Sequence, residues 1–258
     1  MVTITTATTT PSRAPFAGFA AQLALIALLA GTAGLTLSGG IAGIAYGVVL
    51  CGLLGTALDR AGMTFLGWAN LVTFSRAILT GGVTALVTSS ILGHEIPVWL
   101  LVTIATVALA MDGVDGQVAR RTGTTSELGA RFDMEVDAFL ILVLSLYAAV
   151  SYGWWAIAIG AFRYAFVAAS WALPWLNAAL PPRFSRKVVA AQQGVLLAVV
   201  ATGLLPAWVA VATLAVALGS LTWSFGRDIR WLHKASQVRE AARTRWSARP
   251  MTLVTGRV

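Results

Sequence analysis

Six of the ten acidic residues in this chain fall between positions 112 and 137: Asp112, Asp115, Glu127, Asp133, Glu135 and Asp137. Asp112 and Asp115 are three residues apart, and Asp133 and Asp137 are four apart, so on helices each pair projects from one face. Gly116 and Ala119 share the first face, and Gly129 lies one turn before Asp133 on the second. The intervening RTGTTSE offers a turn at Gly123 and a capping box from Thr124 to Glu127. Two antiparallel helices joined there bring four carboxylates together. Such a group repels itself and does not fully ionise without cations. Hard divalent ions take oxygen ligands, Mg2+ being the first expectation and Mn2+ the second. Two of them about 3.5–4 Å apart, bridged by carboxylates, suit displacement at phosphorus. Gly116, Ala119 and Gly129 would leave room beside them. Glu127 reads as a helix cap and Glu135 points away from Asp133 and Asp137, so both are left outside the site. Solvated caps or arginine partners would account for one aspartate, but four at these spacings in a charge-poor chain point to a functional site.

The elements that must position these acids are membrane helices. Of 258 residues, 58% are hydrophobic and 11% charged, with a mean hydropathy of +0.80. A soluble domain of that size needs more charge on its surface. Apolar segments recur at roughly 16–36, 39–57, 70–92, 96–114, 128–149, 152–176, 187–204 and 206–226, each near the length of about 20 residues that crosses a bilayer core. The connections alternate. Those near 37–38, 93–95, 150–152 and 204–206 hold no Lys or Arg, whereas the others carry Arg60, Arg120, Arg121, Arg183, Arg186 and Lys187. Every basic connection and both termini are therefore expected in the cytoplasm. The net charge of +8 follows from this topology, and no basic helix with interleaved aromatics suggests nucleic acid. Cys51 lies in an apolar run and reads as a small core residue. The first apolar run reads as a retained transmembrane helix. The tail from Arg227 onward reads either as a basic surface helix on anionic lipid or as a solvated charged segment. No internal repeat suggests a transporter of two related halves.

The acidic stretch resembles the motif of the CDP-alcohol phosphotransferase family, D-x2-D-G-x2-A-R-x8-G-x3-D-x3-D. Here it is met at Asp112, Asp115, Gly116, Ala119, Arg120, Gly129, Asp133 and Asp137, with every spacing kept. The resemblance implies an all-α polytopic bundle with a six-helix catalytic core, usually a homodimer, opening to the cytoplasmic leaflet of the plasma membrane. The core corresponds to residues 62–228. Residues 1–61 add a polar N-terminus and two extra transmembrane helices, and 229–258 form a basic tail.

Residue by residue, the resemblance implies that Asp112, Asp115 and Asp133 ligate one metal, and Asp112, Asp133 and Asp137 the second. Asp137 would also be the base that takes the acceptor proton. Arg120, with Gly116, Ala119 and Gly129, would hold the cytidine diphosphate of the donor. Asn70, Thr73 and Arg76 match the family's N-x-x-T-x-x-R stretch and would contribute to the nucleotide pocket, Arg pairing with phosphate oxygens. Arg163, inside an apolar helix, needs a polar cavity or an acid, and in relatives such an arginine lies beside the acceptor. Arg183, Arg186 and Lys187 resemble the family's basic G-K-x-K-T element, with Ser185 and Val188 departing from it.

The expected reaction moves a phosphatidyl group from a CDP-linked donor, first of all CDP-diacylglycerol, to an alcohol, with CMP released. The basic positions favour a polyol or polyol phosphate as acceptor. A prenyltransferase-type diphosphate enzyme is the enzymatic rival, but it leaves the A-R-x8-G element unexplained. A divalent-cation transporter is the non-enzymatic rival, and it expects acids spread through membrane depth.

Overall fold

The computed structural model describes residues 14–61, 68–122, 127–181 and 183–247, and side chains within 15–56, 71–113, 129–181 and 183–241. Among these residues the chain forms α1 (Ala14–Ala33), α2 (Leu37–Ala61), α3 (Trp68–Ile91), α4 (Val98–Thr122), α5 (Glu127–Tyr152), α6 (Ile157–Ala172), α7 (Phe184–Ala201) and α8 (Ala207–Ser247). Short 3-10 turns at Trp154–Ala156 and Pro174–Asn177 flank α6. No strand occurs among the described residues. Without water to satisfy backbone groups, a helical bundle is one of the few architectures a bilayer allows.

Seven of the described helices are long and apolar enough to cross a membrane. The chain is an all-α polytopic membrane bundle. α4 runs past its expected apolar segment to Thr122, and its described apolar part is Val98–Gly113. α8 also runs further than its apolar pattern. It continues unbroken to Ser247, so the basic tail as far as that residue extends α8 and is no separate surface helix. At 1.5 Å per residue its 41 residues reach about 60 Å, twice the bilayer core of about 30 Å. The Trp175–His233 ring contact ties this extension to the turn after α6, and Leu232 beside it in sequence is fully buried.

The four connections without basic residues are tight turns. Each holds one glycine in the left-handed region, Gly34, Gly93, Gly153 and Gly203, a conformation that costs other residues more. These turns gather at one end of the bundle, so the termini of α4, α5 and α7 that carry the predicted site meet at the other.

α3 is central and packs against α1, α2, α4 and α5. Its buried Val83, Leu86 and Val87 join Leu101, Ala105 and Ala108 of α4 and Leu140, Val143 and Leu144 of α5 in one core, with Leu197 of α7 and Leu214 of α8. Lipid supplies no hydrophobic drive between helices, so close approach and polar contacts must hold them. Gly160 serves the first need, since a Cβ there would meet the Leu142 Cα at 2.3 Å. Gln193 serves the second: its Nε2 donates to the Ala217 carbonyl at 3.2 Å and to the Ser220 hydroxyl at 3.3 Å, joining α7 to α8.

Candidate active site

Asp112 sits near the end of α4's apolar part, and Asp133 and Asp137 sit on the first turns of α5. The helices bring all three to one group, the guanidinium of Arg76 on α3. Arg76 Nη1 pairs with Asp112 Oδ1 at 3.0 Å and with Asp133 Oδ1 in a shorter contact, and Nη2 donates to Asp137 Oδ1 at 2.7 Å. Nε donates to the Ala108 carbonyl at 3.0 Å, one turn before Asp112. Arg76 is fully buried, whereas the aspartate side chains keep 41%, 38% and 34% of their surface exposed. The arginine is therefore the inner wall, and the carboxylates open outward.

This arrangement follows from helical register. Thr73, Arg76 and Thr80 share one face of α3 and are all buried. A buried guanidinium without counter-charges would be prohibitive, and paired carboxylates make it tolerable. One guanidinium thus serves three carboxylates.

Asp115, Gly116, Ala119 and Arg120 lie on the backbone of α4, but their side chains, like that of Asn70, are outside the described residues. So are the Gly123 turn and the capping box, apart from the backbone of Glu127 at the start of α5. Gly129 is on α5 one turn before Asp133, as its spacing implied.

Arg163 finds an acid. Its Nη2 pairs with Glu135 Oε1, its Nε lies 3.4 Å from Oε2, and its Nη1 contacts the Met134 sulfur at 2.9 Å. Glu135, which the sequence left outside the site, thus links α6 to α5 between Asp133 and Asp137.

Arg186 also has an acid partner, one that the sequence did not single out. Its Nε donates to Asp228 Oδ2 at 2.9 Å, and Asp228 is buried. Next to it, Arg227 Nη2 donates to the Ser185 hydroxyl at 3.0 Å, and its guanidinium lies 4.6 Å from the Trp223 ring centre. Two N–H groups in this cluster, Arg186 Nη2 and Arg227 Nε, are buried without a hydrogen-bond acceptor among the described residues. The available signal was Asp228 itself, a lone acid in the basic run Arg227–Arg230.

A family model described as CDP-alcohol phosphatidyltransferase matches residues 66–223, well over half of the chain and all of the helices that carry the three described aspartates. The chain belongs to the CDP-alcohol phosphatidyltransferase family. Its members are transferases of substituted phosphate groups, acting from a CDP-alcohol, and this chain is such an enzyme. Neither a curated protein nor a solved structure gave a match. The prenyltransferase and cation-transporter readings find no support in the family match.

The phosphatidyltransferase family generally depends on divalent metals. The donor set here fits such ions in kind, being all hard carboxylate oxygens on a partly exposed side. In position it is not yet a metal cage: among the described residues, no three His, Cys, Asp or Glu side chains are arranged to hold an ion, and the Arg76 guanidinium lies among the aspartates.

Proposed function

We propose that this phosphatidyltransferase moves the phosphatidyl group of CDP-diacylglycerol to a hydroxyl of a polyol or polyol phosphate, releasing CMP in phospholipid biosynthesis. The observation that carries this reading is the convergence of Asp112, Asp133 and Asp137 from two helices on one buried cation, with their outer faces open.

Asp112, Asp115, Asp133 and Asp137 would hold two divalent cations, Mg2+ first and Mn2+ second, which when bound neutralise the diphosphate and the leaving oxygen. Arg76 fixes three of these carboxylates from behind, so that they are oriented before substrate arrives. Asp137 takes the proton of the acceptor hydroxyl. The acceptor oxygen then bonds to the donor's lipid-linked β-phosphorus in line with the bond to the CMP oxygen, which breaks. No enzyme nucleophile is needed. Asn70, Thr73, Gly116, Ala119, Arg120 and Gly129 hold the cytidine diphosphate.

On the acceptor side, the free N–H groups of Arg186 and Arg227 support an anionic substrate, because a buried donor left unmade is costly and a phosphate oxygen would satisfy it. Arg163, held by Glu135, borders the same end of the bundle. The basic connections favour an orientation with this end and both termini in the cytoplasm, and the plasma membrane is the proposed location. The functional unit is taken to be a homodimer.

The test is CMP release by the purified chain from CDP-diacylglycerol and Mg2+, with a panel of alcohols and the products identified by mass. A phosphatidyl polyol or polyol phosphate is the expected product. CMP formation that ignores every alcohol supplied would refute the transfer reading.

A further inference from the structure

The family match begins at residue 66, so α1 and α2 lie outside it, yet they pack directly on the helices that carry the site. One face of α2 buries Leu50 and Leu54 against Phe74 and Ala77 of α3 and Val136 of α5, with Tyr46, Cys51, Ile78 and Phe132 around them. Higher on the same face, the Tyr46 ring stacks on Phe139 of α5, with centres 4.9 Å apart and planes at 23°. These contacts have a meaningful register. Ala77 follows Arg76, and Phe132 and Val136 immediately precede Asp133 and Asp137. α2 therefore presses on the faces of α3 and α5 adjacent to those that bear the charged groups.

The hairpin is also locked to α3. Gly39, Gly43 and Gly47 repeat every four residues along α2, the small-residue spacing that lets membrane helices meet closely. A Cβ at Gly39 would meet the Ala85 carbonyl oxygen at 2.6 Å, and one at Gly43 would meet the Gly81 carbonyl oxygen at 3.2 Å. Gln22 of α1, 1% exposed, fills the junction: its Nε2 donates to the Gly43 carbonyl at 3.3 Å, and its amide lies against Gly81. An anchor that merely held the chain in lipid would need neither the polar plug nor the aromatic stack.

We propose that the α1–α2 hairpin is a positioning element of the site, in which Tyr46, Leu50 and Leu54 hold α3 against α5 so that Arg76 meets Asp133 and Asp137. They act through α3 and α5 and touch no reacting group. The activity arm of the test rests on the transfer reading above; the structural arm does not.

The experiment is amide hydrogen exchange on the full-length protein in detergent, comparing wild type with L50A/L54A, with the milder Y46L, and with L53A, whose side chain is 65% exposed on the outer face of α2. Exchange across residues 129–139 is expected to rise about tenfold in L50A/L54A and by less in Y46L, with α7 and α8 unchanged and L53A like wild type. In the same samples, kcat for CMP release should fall about tenfold while donor KM stays within about twofold. Unchanged exchange at 129–139, or equal acceleration through α7 and α8, would overturn the proposal. If L50A/L54A does not insert, Y46L decides alone. Should wild type release no CMP while exchange responds as described, the transfer reading fails and the positioning role stands.

Discussion

Two charge clusters at the same end of the bundle are built in opposite proportion. Around Arg76, one buried cation faces Asp112, Asp133 and Asp137, whose carboxylates are partly exposed on the outward side. Around Asp228, one buried acid faces Arg186 and Arg227, and two buried N–H groups have no hydrogen-bond acceptor among the described residues. In each, the minority charge is the more buried and the majority charge remains partly exposed. On the proposed function, the minority charge holds geometry and the majority takes up cations and a diphosphate on one side and an anionic acceptor on the other. A transferase that joins a diphosphate donor to a polar alcohol needs both signs within one region, and separation on different helices keeps them from neutralising each other.

The contrast breaks most sharply in the acidic cluster. Asp112→Asn or Asp133→Asn is expected to reduce CMP release by about 10³-fold with unaltered elution on size exclusion, since a developing charge loses its stabiliser. Removing the minority charge acts on stability. Arg76→Ala should cost about 3 kcal/mol in reversible unfolding, because it leaves three carboxylates facing one another. Mg2+ should then raise the Tm of this variant more than that of wild type. No loss in Arg76→Ala would remove the guanidinium as the brace.

On the basic side the effect is smaller and more selective. Asp228→Asn or Arg186→Ala should raise KM for a phosphate-bearing acceptor about tenfold while kcat and donor KM hold. An equal change with a neutral polyol would erase the difference between the clusters. Smallest of all, Glu135→Gln should destabilise by less than about 1 kcal/mol and lose even that at high salt, since Glu135 is half exposed.

Much of this was legible in the sequence. The hydropathy pattern gave eight helices, all but α4 and α8 within a few residues of their centres, and the hairpin read from the acid spacing brought Asp112 together with Asp133 and Asp137, since helical period decides which residues of each helix share a face. What the sequence could not supply was pairing between distant helices. Arg76 was expected at the nucleotide and lies among the aspartates, a contact set by how α3 crosses α4 and α5. Glu135 was set aside because it faces away from its neighbours on α5, and that orientation is what lets it reach Arg163 on α6. Asp228 was hidden in a basic run where topology already accounted for the charge. The end of α8 was misjudged because that helix outlasts its apolar segment, and hydropathy does not register a polar helical turn. Gln22 and Gln193, amides in apolar runs, were unmarked signals of interhelical clamps.

The most direct test of the central claim is anomalous scattering from Mn2+ in crystals of the full-length protein. The account predicts Mn2+ density bounded by the carboxylates of Asp112, Asp133 and Asp137, on the side away from Arg76. Density confined to other parts of the chain, with these three carboxylates still closed on the guanidinium, would contradict it.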